Sequence, residues 1–573
     1  MKNLIIVAAI TAMIFGYYGC KSFEGAAVTA KPDPIEVHAD SIKYEVRASV
    51  PPKSHMKKGG SYTGEAKIGT RSQHKVVIST DKYPKIKKTG VDTTVKIQRP
   101  YFDDMDGNPL SMDQSYERRG KTFELPALTD IAQCCITTSR LVWENPQFIF
   151  SKHEYVKQVP VNQEAIFQFP KNIWEIAADQ YKKSDITAIG DFLKKKYNAK
   201  KITIEGFASP EGPYKRNVEL SVNRSKEVQK WLIEQLKTEG YEEYLDTNFF
   251  DISVTHEDWP GFKESVNSLP LDADVKSQVL TIVSNEADEE TREQKIMALV
   301  GGKDKVEMIL SPLRRATIRI EGFEPRRTDE EIDKIAQDFA DGKYTGVLKD
   351  TYQKEEWMYA ISRHENLTGK KALLEAFREA YPGDFRALND LGAIYLSEGD
   401  DKKGLEMLEG AMKVNSKDYG IANNLGVAEM RKKKYKEAKA RFETSLSSKT
   451  SPEASFNLGV VLEKMAMYNQ AIEKFNAASS IKGAAYNSGL CKILTNDLAG
   501  AKADLTDAMK SDKGHALAYY VMAIDGARAS DASTMTVNLK KACELDSKLK
   551  EKAKKDLEFR KFWSSAEFKA ATS

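Results

Sequence analysis

Three stretches in the last third of this 573-residue chain align without a gap: LGAIYLSEGDDKKGLEMLEGA, LGVAEMRKKKYKEAKARFETS and LGVVLEKMAMYNQAIEKFNAA. Their glycines stand at 392, 426 and 459, and each is followed twelve residues later by Gly404, Ala438 or Ala471. Leu408, Phe442 or Phe475 comes four residues further on, and Ala411, Ser445 or Ala478 three beyond that. Gly489 opens a fourth unit with Ala501, Leu505 and Ala508, and a worn fifth runs through Tyr519, Ala523, Leu539 and Ala542. A period near 34 with fixed small positions predicts a repeating helix pair. The small residues let the two helices of a unit approach, and the large residue is expected to fill the gap between units.

This pattern resembles tetratricopeptide repeats over roughly 384–546, and the repeat region is set at 384–560. The resemblance implies an α-solenoid whose concave surface binds a protein partner. Residues 326–383, ending at Tyr381-Pro382-Gly383, read as a helical linker or cap. The basic run RKKKYKEAKAR (431–441) lies inside a repeat and reads as a solvated helix face.

The first third has period two. In IKYEVRASV (42–50), Ile42, Tyr44, Val46, Ala48 and Val50 share a face, and KVVIS (75–79), TTVKIQ (93–98), KTFEL (121–125) and SRLVW (139–143) read as further strands. Residues 35–160 are therefore expected to form a β-sandwich, of immunoglobulin-like type. The small, proline-containing stretch 20–34 is expected to be a tether.

Between 161 and 325 strands and helices alternate. AIFQF (165–169), KITIEGF (201–207), FFDISV (249–254) and RRATIRIEGF (314–323) read as strands, and SDITAIGDFLKKKY (184–197) as a helix capped by Ser184. A helical insert is expected at about 256–312. The order βαβαβ–insert–β predicts an α+β layer of helices on a mixed sheet. Within it, GFASPEG (206–212) runs into a helix that places Asn217, Leu220, Arg224 and Val228 on one face.

The strand AIFQF, the segment IEGFASPEG, the spacing Asn217-x-x-Leu220-Ser221-x-x-Arg224 and the closing arginine-rich strand resemble the peptidoglycan-associating OmpA-like domain. That resemblance implies a pocket for the zwitterionic diamino acid of the peptidoglycan stem. An arginine at the position of Arg224 would read a carboxylate, whose geometry suits a guanidinium fork, and a loop aspartate would take the ammonium. Here the family's Gly-x-Thr-Asp becomes Gly206-Phe207-Ala208-Ser209, so a neutral hydroxyl replaces the charge. Glu211 stands two residues along as a substitute carboxylate. The site expected from the resemblance is Ser209, Glu211, Asn217 and Arg224. Two other readings stay open: a different ligand, or a scaffold in which Arg224 pairs with Glu211 as structure alone.

At the N-terminus, Lys2 precedes an apolar run, Leu4 to Phe15, too short to span a bilayer, which ends in Tyr17-Tyr18-Gly19-Cys20. This resembles the lipobox of bacterial lipoproteins and implies removal of residues 1–19 and acylation of Cys20. Together these parts resemble outer-membrane-associated lipoproteins of the Bacteroidetes. In that group, surface-exposed members tend to carry an acidic run after the lipid cysteine. Lys21-Ser22-Phe23-Glu24 is an incomplete version, so the anchor is expected to face the periplasm.

A net charge of +3 points to no nucleic-acid partner. The seven histidines are scattered, no Cys-x-x-Cys occurs, and no metal or cofactor is expected. Adjacent Cys134 and Cys135 are not expected to bridge each other. Gly-x-Ser-x-Gly, His-Glu-x-x-His and phosphate-loop motifs are absent, so a non-enzyme is expected. The rivals are a surface-exposed ligand- or glycan-binding lipoprotein whose OmpA-like domain is only structural, and an envelope hydrolase acting through unidentified carboxylates.

Overall fold

The computed structural model describes residues 23–194, 199–286 and 288–573. Cys20, the expected lipidation site, and the end of the helix expected at 184–197 lie outside them. The chain divides into two compact units. Among the described residues, one holds 23–152, 347–349 and 365–573, and the other those of 153–346 and 350–364.

The first unit begins with a β-rich region, as period two predicts. Its strands are β1 Ala27–Lys31, β2 Ile35–His38, β3 Ser41–Val50, β4 Gly60–Ile68, β5 Arg71–Ser79, β6 Val91–Pro100, β7 Pro109–Arg118 and β8 Lys121–Ile136. They are hydrogen-bonded in the order β1-β3-β2-β8-β7-β4-β5, with β6 on β3. β2 links the two parts of this path, pairing antiparallel with β3 and parallel with β8. Alternate residues of β3 (Ile42, Tyr44, Val46, Ala48) share one core with Tyr62 and Ala66 of β4 and Leu110 and Met112 of β7.

Three expectations are corrected here. The tether is shorter than 20–34, because Ala27–Lys31 pairs with β3 and Phe23 is buried in the core. Cys134 and Cys135 are joined to each other, with both side chains buried at the end of β8. SRLVW (139–143) is not a strand. A 3-10 turn, Thr138–Leu141, ends the β-rich region, and the chain then runs without secondary structure through 142–152.

That segment lies against the C-terminal helices of the same unit. Helix pairs run from Phe385 to Leu545, among them Phe385–Glu398 with Asp401–Val414, Tyr419–Arg431 with Tyr435–Ser448, Pro452–Lys464 with Tyr468–Ala477, and Ala484–Leu494 with Leu498–Ser511. The region resembles tetratricopeptide repeats. Each unit's large residue packs over its own glycine rather than between units: a Cβ on Gly392, Gly426, Gly459 or Gly489 would run into Leu408, Phe442, Phe475 or Leu505 respectively. All four large side chains are fully buried.

The second unit carries a four-stranded sheet of β9 Pro160–Gln168, β10 Lys201–Phe207, β11 Phe250–Thr255 and β12 Arg315–Phe323, in the order β11-β10-β12-β9. β10 is parallel to β11 and antiparallel to β12, which is antiparallel to β9. The helices Lys183–Lys194 and Tyr214–Thr238 cover it through Phe192, Leu193, Val228 and Leu232, packed on Phe167, Ile202, Ile204, Ile318 and Ile320. Between β11 and β12 stand four helices with their own core, including Phe262, Val266, Val279 and Ile309.

Candidate functional site

The loop 207–213 leaves the C-terminal end of β10 and enters the helix Tyr214–Thr238 at Pro213. Gly206 makes this junction possible, since a Cβ there would strike the backbone at Ser221 and Ser225. The helix therefore lies directly on the strand, and its buried face presents Asn217, Leu220, Ser221 and Arg224 beneath the loop.

A cleft of about 390 Å³ opens at this point, and its walls include all four residues expected from the sequence: Ser209, Glu211, Asn217 and Arg224. Arg224 is 1% exposed. Its Nη1 donates to Phe207 O at 2.7 Å, Nε to Ile173 O at 3.1 Å and Nη2 to Pro170 O at 3.4 Å. Its guanidinium stands 5.2 Å from the Phe169 ring centroid. Among the described residues it has no carboxylate partner. Burial, with Arg314 nearby, pulls its pKa down to about 10. This is a desolvated cation, held by neutral oxygens, at the wall of a cleft.

Glu211 does not pair with Arg224. Its Oε1 accepts from Arg314 Nε at 2.6 Å and from Ser209 Oγ at 2.7 Å, and its Oε2 accepts from Lys171 Nζ at 2.8 Å. Burial alone would raise its pKa, but the bonds from Lys171, Arg314 and Ser209 outweigh that and hold it below the usual carboxylate range. Arg314 is 3% exposed and bridges Glu211 to Glu307, which brings the insert to the cleft. Asn217 Nδ2 donates to Glu257 Oε1 at 3.3 Å, and Ser221 Oγ meets His256 Nδ1 at 2.8 Å. Arg216 stacks on Trp174 at the rim, 4.9 Å from its centroid.

The cleft therefore combines a cation without a direct ion pair among the described residues with a carboxylate already carrying three donors. Its chemistry is that of an anion receptor first. Lys171, the most exposed of the three donors on Glu211, has a side chain 61% exposed. The sequence reading missed Arg314 and Lys171. Arg314 reads there only as the start of an arginine-rich strand, and Lys171 is not singled out.

Residues 168–242 match the OmpA family. No curated protein matches the chain. Among solved structures it is similar to YrrB, described as a TPR protein with an unusual peptide-binding site, at 23% identity, covering 32% of this chain and 97% of that one, with a TM-score of 0.29. It is similar to PilF of Pseudomonas aeruginosa at 17% identity, covering 42% and 96%, with a TM-score of 0.29. A third similarity is to the Cut9–Hcn1 hetero-tetramer of APC/C, at 13% identity, covering 55% and 58%, with a TM-score of 0.33.

Proposed function

We propose that this protein is a non-catalytic envelope lipoprotein, acylated at Cys20, held in the outer membrane facing the periplasm, and associated with peptidoglycan through the cleft at Arg224. One observation carries the wall reading: a buried arginine with no direct ion pair among the described residues lines a cleft in a domain that matches the OmpA family. A stem-peptide carboxylate would give Arg224 the charge-assisted bonds that Phe207, Ile173 and Pro170 replace only in part. Glu211 takes the place of the missing aspartate for the ammonium, with Lys171 swinging out into solvent. The repeats scaffold a protein partner. Lipid and wall contacts on one chain reinforce each other, so a weak pocket is sufficient.

The rival reading, an OmpA-like domain kept only as structure beneath a surface-exposed ligand-binding lipoprotein, rests on the same three carbonyls, which already satisfy part of the guanidinium. Sedimentation with purified sacculi separates the two. Wild type should co-sediment, and Arg224→Ala should lose at least ten-fold in affinity. Glu211→Ala should lose less if its role is only to receive the ammonium. Equal sedimentation of all three rejects the pocket, and release of soluble fragments from the sacculi would replace binding by hydrolysis.

A further inference from the structure

The asparagines that precede the repeat glycines by two residues form a ladder. Asn424, Asn457 and Asn487 stand at this position, and Asp390 takes it in the first unit. Each asparagine reads both main-chain groups of one residue in the segment that leaves the β-rich region. Asn487 Oδ1 accepts from Trp143 N at 2.9 Å while its Nδ2 donates to Trp143 O at 3.1 Å. Asn457 does the same to Gln147, at 2.9 and 2.7 Å, and Asn424 to Ile149, at 2.9 and 2.9 Å. Asp390 Oδ1 accepts from Ser151 N at 2.8 Å.

A second row reinforces the first. Asn423 Nδ2 donates to Gln147 O at 2.9 Å and Asn389 Nδ2 to Ile149 O at 3.0 Å. Tyr486 OH reaches Leu141 O at 2.6 Å. Side chains add to the backbone pairing: Trp143 covers Gly483, where any Cβ would strike its ring, Ile149 lies over Gly420, Val142 and Phe148 pack on the repeat cores, and Glu144 pairs with Lys464.

We infer that the groove of the repeats is a main-chain-reading peptide receptor whose ligand is this chain's own segment 141–151. It fits an extended peptide with a large flat side chain at the position of Trp143 and apolar side chains at those of Val142, Phe148 and Ile149. Amide-to-amide pairing selects backbone rather than sequence, because every non-proline residue offers the same N–H and C=O. The ladder runs against the chain direction, from Asn487 at Trp143 to Asp390 at Ser151. The expected open docking surface is therefore filled from within. A protein partner of the repeats uses other faces, or enters only by displacing a strap whose tethering gives it an effective concentration of order millimolar.

Hydrogen exchange on the full chain tests the ladder. The amides of Trp143, Gln147, Ile149 and Ser151 should be protected in wild type. In Asn424→Ala/Asn457→Ala they should exchange at least ten-fold faster while the array helices keep their protection. Because that variant alters the groove, a strap variant, Trp143→Ala/Ile149→Ala, serves as the second arm. A labelled synthetic peptide of residues 139–153 should bind the strap variant at least ten-fold more tightly than it binds wild type. The same peptide N-methylated at the residues matching Gln147 and Ile149 should not bind. Equal binding to wild type and strap variant, or full binding by the methylated peptide, overturns the assignment. So does a wild-type dimer that dissociates in Asn424→Ala/Asn457→Ala, since it would put the ligand on a second copy.

Discussion

Asp390 is the one ladder residue that carries a charge. Burial raises its carboxyl to about 7, against the lowering effect of bonds from Ser151 and Asn389. A carboxyl raised on folding favours the folded state while protonated, and that advantage drains away as pH climbs from its unfolded value through about 7. Asp390→Asn keeps the acceptor for Ser151 N and removes the titration. Its Tm should exceed that of wild type by a few degrees at pH 8, with the gap narrowing steadily as pH falls toward about 4, read by scanning calorimetry. Glu211 has the opposite sign. Its lowered pKa gives stability that is present above its unfolded value and lost as pH falls through its folded one. Glu211→Gln leaves Arg314 with Glu307 alone. It should cost about 2–4 kcal/mol at pH 7 by denaturant titration, with a smaller difference below pH 4.

At the level of elements, the helix Tyr214–Thr238 sits on β10 only because residue 206 has no side chain. In Gly206→Ala the new methyl meets backbone at Ser221 and Ser225, so a whole helix must shift rather than a rotamer. Destabilisation of about 3 kcal/mol and loss of sacculus binding are expected together. Much of this element was legible in the sequence, since the glycine, the acidic loop and the Asn217–Arg224 spacing are local. The repeats were legible for a similar reason: period and small-residue positions are local facts repeated four times. The strap was not. Leu141 and Trp143 alternate as a strand would, and their partners lie 344–345 residues away. The signal that could have found the groove was in the repeat alignment itself, as an Asn or Asp two residues before every glycine. Uncharged amides on a helix otherwise read as ordinary polar surface. Arg314 escaped because an arginine-rich strand does not say which arginine meets Glu211 until the fold brings them together.

Across the whole molecule, the β-rich region and the repeats form one unit although the OmpA-family domain separates them in sequence. Without the repeats, Trp143, Phe148 and Ile149 have nothing to cover them. A chain ending at residue 383 should be cut by trypsin after Arg140 and Lys152 far faster than the full chain, while the OmpA-family domain keeps its own resistance. The strap also sets a timetable. Ser151 is synthesised 239 residues before its partner Asp390, and closing a loop of that length costs about 5 kcal/mol of chain entropy. A domain that folds by itself within the loop draws the ends together and lowers that cost. The middle of this chain is thus expected to mature first, and the two outer thirds last and together. Until the final repeat emerges, the earliest region made must wait with its apolar tail uncovered.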